Sequence, residues 1–362
     1  MTLSRWPTTS VLSVALVMMA CSLAAAGPAN AATCTPTTRI LDTLPVNAPL
    51  VISQRGHVVT REGEPGATSG LWLHRLNGGS TPITYANGTS PSVASDVNGR
   101  GAAVGTDGVD SGAIAPGVPW ISQGGTASHL PNPTRAEPTY FAVSINSHGA
   151  VAGVATNYPY DPPTGTAFTA IPLLWSSADA NPTDLSMPAG VFVVGFDQGS
   201  PLLDIRNDGA ISAVLLDKNG SGTYLARWAT PTAAPTLVAI PRGLAPVAVA
   251  GRWVVGQVGQ DMFVFSPQAA VVISTAEPLF DMSVAANGTY TAMRDGVTVD
   301  YGIVGRGTTA PRDASQYYAL ADVAGSMGGQ VALESPSSTS VLTCALGLPA
   351  LSGVDVTPVV LG

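Results

Sequence analysis

The sequence predicts an all-β fold, a β-propeller of about seven four-stranded blades, on three observations. First, a turn glycine followed by an apolar run recurs at Gly56 (RGHVVT), Gly101 (RGAAVG), Gly149 (HGAVAG), Gly209 (DGAISA), Gly251 (AGRWVVG), Gly288 (NGTYTA) and Gly329 (GGQVAL). The successive spacings are 45, 48, 60, 42, 37 and 41 residues, and a period of about 40 to 50 belongs to helical arrays or to propeller blades. Second, each unit is built of short apolar runs rich in Val, Ile, Tyr, Phe and Trp, set between Gly, Pro, Asn, Asp and Ser, which is the pattern of strands and turns. Third, 40 Gly and 30 Pro leave no room for helices of ordinary length.

The third unit shows the four strands in order. FAVSIN forms strand A and turns through Ser147, His148 and Gly149 into AVAGVAT, strand B; AIPLLW is strand C, and PTDLSM, ending at Pro188, is strand D. Strand C recurs as GLWLHRL around Trp72, VPWIS at Trp120, YLARW at Trp228 and MFVFS at Phe265, and D strands end near proline at HLPNP and AIPRG. The 60-residue gap between Gly149 and Gly209 holds an extra apolar run, GVFVVGF around Val193, which leaves six and eight blades open.

RILDTLP, Arg39 to Pro45, reads as a D strand with no A, B or C before it, whereas the last unit has A (YALADV), B (QVALES) and C (VLTCAL). An N-terminal strand that completes the final blade closes the ring and removes two exposed sheet edges. The tail ALSGVDVTPVVLG is the competing source of that last strand.

The units resemble the HAF-type extracellular repeats of bacteria. SINSHGAVAG with IPLLW and TDLSM, DVNGRGAAVG with VPWIS, and AGRWVVG with MFVFS carry the likeness. It implies a secreted propeller and no catalytic residues.

Residues 1–31 read as a secretory signal: Arg5 is the positive n-region, VLSVALVMMACSLAAA the apolar core and Ala29-Asn30-Ala31 the cleavage site. One propeller domain, 32–362, then follows and is exported. A lipoprotein anchored through Cys21 is the rival reading. The mature chain keeps two cysteines, Cys34 and Cys344, which an oxidising compartment favours as a disulfide. No later segment is long and apolar enough to span a membrane as a helix.

The net charge is −8, and Lys218 is the only lysine beside fourteen arginines. With no run of basic residues, nucleic acid and anionic membrane are excluded as expected partners. A glycan or an extracellular protein remains, and a monomer is expected. No zinc-protease, nucleophile-elbow, Cys-x-x-Cys or phosphate-loop motif occurs, and the four histidines are too scattered for a metal site. Asp217-Lys218-Asn219-Gly220-Ser221-Gly222 imitates the first half of a calcium loop, but Trp228 stands where the closing Glu belongs. No cofactor is expected, and calcium stays the minor alternative.

Two sets of residues are candidate binding groups. Loops joining strands B and C carry Arg61, Glu62 and Glu64, Asp107 and Asp110, and Tyr158, Tyr160 and Asp161. Carboxylates beside tyrosines suit sugar contact, since rings stack on sugar faces and carboxylates accept hydroxyl hydrogen bonds. A second column, Asp96, Ser144, Asp204, Ser283 and Asp322, lies on the A strands nearest the axis. It reads either as a lining of the central channel or as side chains bonded to neighbouring backbone. The function expected is a non-catalytic binding module; the competing class is a polysaccharide hydrolase or lyase working with loop carboxylates.

Overall fold

The computed structural model describes residues 37–362 except 43–46, 54, 63–69, 76–77, 109–116, 133–138, 158–168, 196–200, 295–300, 314–322, 328–329, 336–337, 344–350, 360 and 362. For 37–50, 62, 301 and 323–343 the backbone alone is described. The predicted signal (1–31), both mature cysteines, and Glu64, Asp110, Tyr158, Tyr160, Asp161 and Asp322 lie outside the described residues.

All the regular structure among the described residues is strand. In chain order, β1 (Thr37–Asp42) precedes a first sheet of β2 (Asn47–Ile52), β3 (Val58–Glu62), β4 (Gly70–His74) and β5 (Ser80–Ile83). The second sheet holds β6 (Val93–Val97), β7 (Ala103–Asp107), β8 (Val118–Gln123) and β9 (Thr126–His129). The third holds β10 (Thr139–Ile145), β11 (Val151–Thr156), β12 (Ala170–Trp175) and β13 (Thr183–Asp184). The fourth holds β14 (Val191–Val193), β15 (Leu203–Ile205), β16 (Ile211–Asp217), β17 (Thr223–Trp228) and β18 (Thr236–Ile240). The fifth holds β19 (Ala245–Ala250), β20 (Trp253–Val258), β21 (Asp261–Ser266) and β22 (Ala269–Ser274). The sixth holds β23 (Leu279–Val284), β24 (Thr289–Arg294), β25 (Tyr301–Arg306) and β26 (Arg312–Asp313). Then come β27 (Val323–Met327), β28 (Gln330–Ser335), β29 (Ser338–Thr343) and β30 (Asp355–Val359).

These strands make seven antiparallel sheets, and their first strands touch one another in sequence, β2, β6, β10, β15, β19, β23 and β27, with β27 returning to β2. The ring is a closed β-propeller. Its seventh sheet is composite, as the N-terminal reading requires: β1 pairs β29 with Thr37 opposite Thr343. The tail does not supply that strand. Instead β30 lies against β22, with Val359 opposite Ala270 and Asp355 opposite Ser274, and gives the fifth sheet an extra outer strand. The extra run near Val193 adds no blade either. Both β14 and β15 pair β16, Val193 facing Leu215 and Leu203 facing Ala213, so they are two halves of one interrupted A strand.

The packing repeats with the sequence. β10 and β11 are buried at every position, because an inner strand has a neighbouring blade on each face. Trp120, Trp175 and Trp228 of the third strands are fully buried, and each indole N–H donates to a backbone carbonyl, of Val93, Pro131 and Ser186 respectively. A glycine in the second strand makes space for the ring. A Cβ on Gly153 would sit 2.0 Å from the Phe141 carbonyl oxygen and 2.6 Å from Trp175, and Gly105 is equally enclosed by Val93 and Trp120. The second glycine of the G-A-V-A-G run therefore answers a packing demand.

Candidate functional site

The Asn-x-x-Gly turns between strands A and B all lie on one face of the ring. In each of five blades the first turn residue exchanges two backbone bonds across the turn, as when Asn146 N–H donates to Ala150 and Gly149 N–H to Asn146. Gly149 adopts φ 87°, a left-handed conformation that glycine reaches without a Cβ clash. The Asn98 and Asn146 side-chain oxygens each accept two more backbone N–H groups of their own turn. Their amide nitrogens reach forward: Asn98 donates to the Asn146 carbonyl at 2.8 Å, and Asn146 to the Arg206 carbonyl at 3.3 Å.

The A-strand column does the same two residues earlier. Asp96 accepts from Ile145 N–H at 2.8 Å, Ser144 from Ile205 N–H at 3.3 Å, and Asp204 from Gly251 N–H at 2.7 Å. Each acceptor therefore binds the next blade, and Asp96 also caps its own strand end, where its Oδ1 accepts from Val97 N–H at 2.7 Å. A bulge between Ala94 and Asp96, and between Ala142 and Ser144, re-aims these side chains out of the pleat. Ser283 departs from the pattern, since its hydroxyl pairs with Thr291 of the same blade at 2.7 Å.

Three members of the column also meet one another. The Ser144 hydroxyl lies 2.9 Å from Asp96 Oδ2 and 3.2 Å from Asp204 Oδ1. A serine has one hydroxyl hydrogen, so both contacts become hydrogen bonds only when one carboxyl carries a proton. Burial pushes Asp96 up to about 7, with the charge of Asp204 adding to the shift and the Ile145, Ser144 and Val97 bonds opposing it. Burial also raises Asp204, against its bonds from Gly251 and Ser144 and the nearby Arg206.

Asp96 and Asp204 form part of the wall of a cavity of about 600 Å³ on this face. Arg55, Arg100 and Arg206, from the first, second and fourth blades, line it too. Arg206 pairs with Asp208 at 2.9 Å. The Arg55 side chain lies across Gly99 of the next blade, 3.3 Å from where a Cβ would stand. None of these arginines was singled out in the sequence, although Arg55-Gly56 and Arg100-Gly101 repeat the same pair at the turn.

On the opposite face, where strands B and C are joined, the structure brings two expected binding residues together through Ser92. The Arg61 guanidinium donates to the Ser92 carbonyl, while Ser92 N–H donates to Asp107 Oδ1 at 2.8 Å. The Tyr85 hydroxyl donates to Asp107 Oδ2, and His129 Nε2 lies 3.6 Å from the same oxygen. The Tyr85 and His129 rings are 4.8 Å apart at 60°. Burial, reinforced by Asp107, holds the Tyr85 phenol well above its ordinary range. Tyr85 and His129 come from the two strand-D ends, so only their folding beside Asp107 reveals them. Glu62, the remaining expected residue with a described backbone, ends β3 at the same face.

Of the other histidines, His74 is buried between the Thr60 and Ser80 hydroxyls at 2.7 and 2.8 Å, and His148 is exposed in its turn. In the calcium-like loop the Asp217 carboxylate accepts from Asn219 N–H at 2.8 Å and from the Ser221 hydroxyl at 3.0 Å, which makes it the cap of a hairpin turn. Among the described residues no three His, Cys, Asp or Glu side chains gather as a metal site.

The ring of sheets defines a β-propeller. No family model matches the chain, and no curated protein does. Among solved structures it is similar to YCF48 from Cyanidioschyzon merolae, at 11% identity and a TM-score of 0.48, over 84% of this chain and 98% of that one. It is also similar to prolyl oligopeptidase B from Galerina marginata, at 10% identity and a TM-score of 0.48, over 90% of this chain and 51% of that one. The chain thus spans about half the length of that protein. A polysaccharide lyase, Uly1, matches at 8% identity and a TM-score of 0.40, over 84% and 98% of the two chains.

Proposed function

We propose that the protein is an exported, non-catalytic binding propeller that holds a cell-envelope glycan on the face where strands B and C are joined. The observation that supports it is the Asp107 cluster. A part-exposed carboxylate, fixed by a backbone N–H and a phenol, stands beside two tilted rings with Arg61 one residue away. Such a group accepts sugar hydroxyl hydrogen bonds while the rings cover an apolar sugar face. Export rests on the N-terminal signal pattern in the sequence.

Purified mature protein should bind a subset of a glycan array and intact cell wall, and Asp107→Ala with Arg61→Ala should weaken that binding by about tenfold or more. Binding that survives both changes would remove this face as the site. A Cys34–Cys344 disulfide is part of the same extracellular reading, with the Thr37–Thr343 pairing in support. Peptide mass mapping under non-reducing conditions should find those two cysteine peptides joined.

A further inference from the structure

We infer a second binding site, on the turn face, for a sugar that bears a carboxylate. The cavity there has the size of a small-ligand pocket, and five blades supply it with hydrogen-bond donors. Among the described residues the exposed Arg55 and Arg100 guanidinium groups have no hydrogen bond or ion pair. Asn207 and Asn287 spend their side-chain oxygens on backbone N–H groups of Ser147 and Thr289, which leaves both amide nitrogens as donors. Ser147 adds a hydroxyl at the same cavity. These are one residue each from the first, second, third, fourth and sixth blades, and all of them donate.

The cavity wall limits the charge of the ligand. Asp208 is neutralised by Arg206, while Asp96 and Asp204 are bound to backbone N–H groups of the next blades. Arg55 and Arg100 are therefore the cations of this wall without an ion pair, and a guanidinium fork matches the two oxygens of a carboxylate. The Asp96–Asp204 pair, which holds one proton when both carboxyls bond Ser144, keeps negative charge behind them and disfavours a polyanion. One carboxylate on a polyhydroxyl body fits both conditions: its charge engages the arginines and its hydroxyls engage the Asn207 and Asn287 amides. This site is separate from the Asp107 cluster and does not depend on it.

Titration calorimetry with glucuronate and galacturonate, their short oligomers, neutral glucose and galactose, and inorganic phosphate tests the inference on the mature protein. Acidic sugars should bind at least about tenfold more tightly than their neutral counterparts. The Arg55→Gln, Arg100→Gln double variant should lose that preference with an unchanged thermal midpoint, since both side chains are exposed. Asp107→Ala should leave it intact, which separates this site from the one on the opposite face. Equal binding of acidic and neutral sugars, tighter binding of phosphate than of either uronate, retention of the preference in the double arginine variant, or no binding in the millimolar range would each overturn it. Monomer binding as tight as oligomer binding identifies a free sugar acid as the ligand; tighter oligomer binding identifies a chain end.

Discussion

Blades two to four and blade six carry the same turn and differ in what their strand-A polar residue holds. Asp96, Ser144 and Asp204 each bind the backbone of the following blade, whereas Ser283 bonds to Thr291 within its own. The first arrangement joins neighbouring sheets through directional bonds that are buried or half-buried, and the second only stiffens one sheet. The same position in the repeat is therefore a stitch between blades at blades two to four and a local contact at blade six.

The largest effect should come from breaking the shared link. Ser144→Ala removes the acceptor for Ile205 N–H and the hydroxyl between two half-buried carboxylates, so it should destabilise the fold by about 2 to 3 kcal/mol, measured by chemical denaturation. Next in size is a pH effect centred on Asp96. Its folded value of about 7 lies above its ordinary 3.8, so between those values the folded state holds a proton that the unfolded chain has released. That stabilisation is complete at low pH and is lost as pH rises through about 7. Asp204, also raised, acts in the same direction. Wild type should lose on the order of 2 to 3 kcal/mol relative to Asp96→Asn between pH 5 and pH 8; parallel curves would place the raised carboxyl elsewhere. The smallest effect is expected from Ser283→Ala, at or below about 1 kcal/mol. If it equalled Ser144→Ala, the contrast between blade three and blade six would fail.

Much of the ring was readable from local signals. Turn glycines, the Trp-bearing third strand and the orphan strand around Ile40 are short-range features, and they match the order of the seven sheets and the composite closure. The tail was misplaced as a rival for the last strand because an edge strand has no mark for its partner; pairing with β22 depends on which edge lies open nearby. The interrupted A strand of the fourth blade left the count open to six or eight for a similar reason, since two short runs separated by a loop look like two strands until both are seen on β16.

The binding groups divide along the same line. Arg61 and Asp107 stood out as charged loop residues, but Ser92, Tyr85 and His129, which set the geometry of Asp107, have no pattern in the chain. Arg55 and Arg100 precede the turn glycines of two repeats and have no mark of their own in the chain, because one blade alone does not enclose a cavity.

By itself the sequence determined the strand period, the A–B turn and the polar column, since each depends on residues within about ten positions of one another, where backbone geometry and local hydrogen bonding decide. Only the tertiary structure decided what that column does and where charge collects. Those outcomes need groups 48 to 61 residues apart to meet across a blade interface, and such a meeting is a property of ring closure rather than of any local segment.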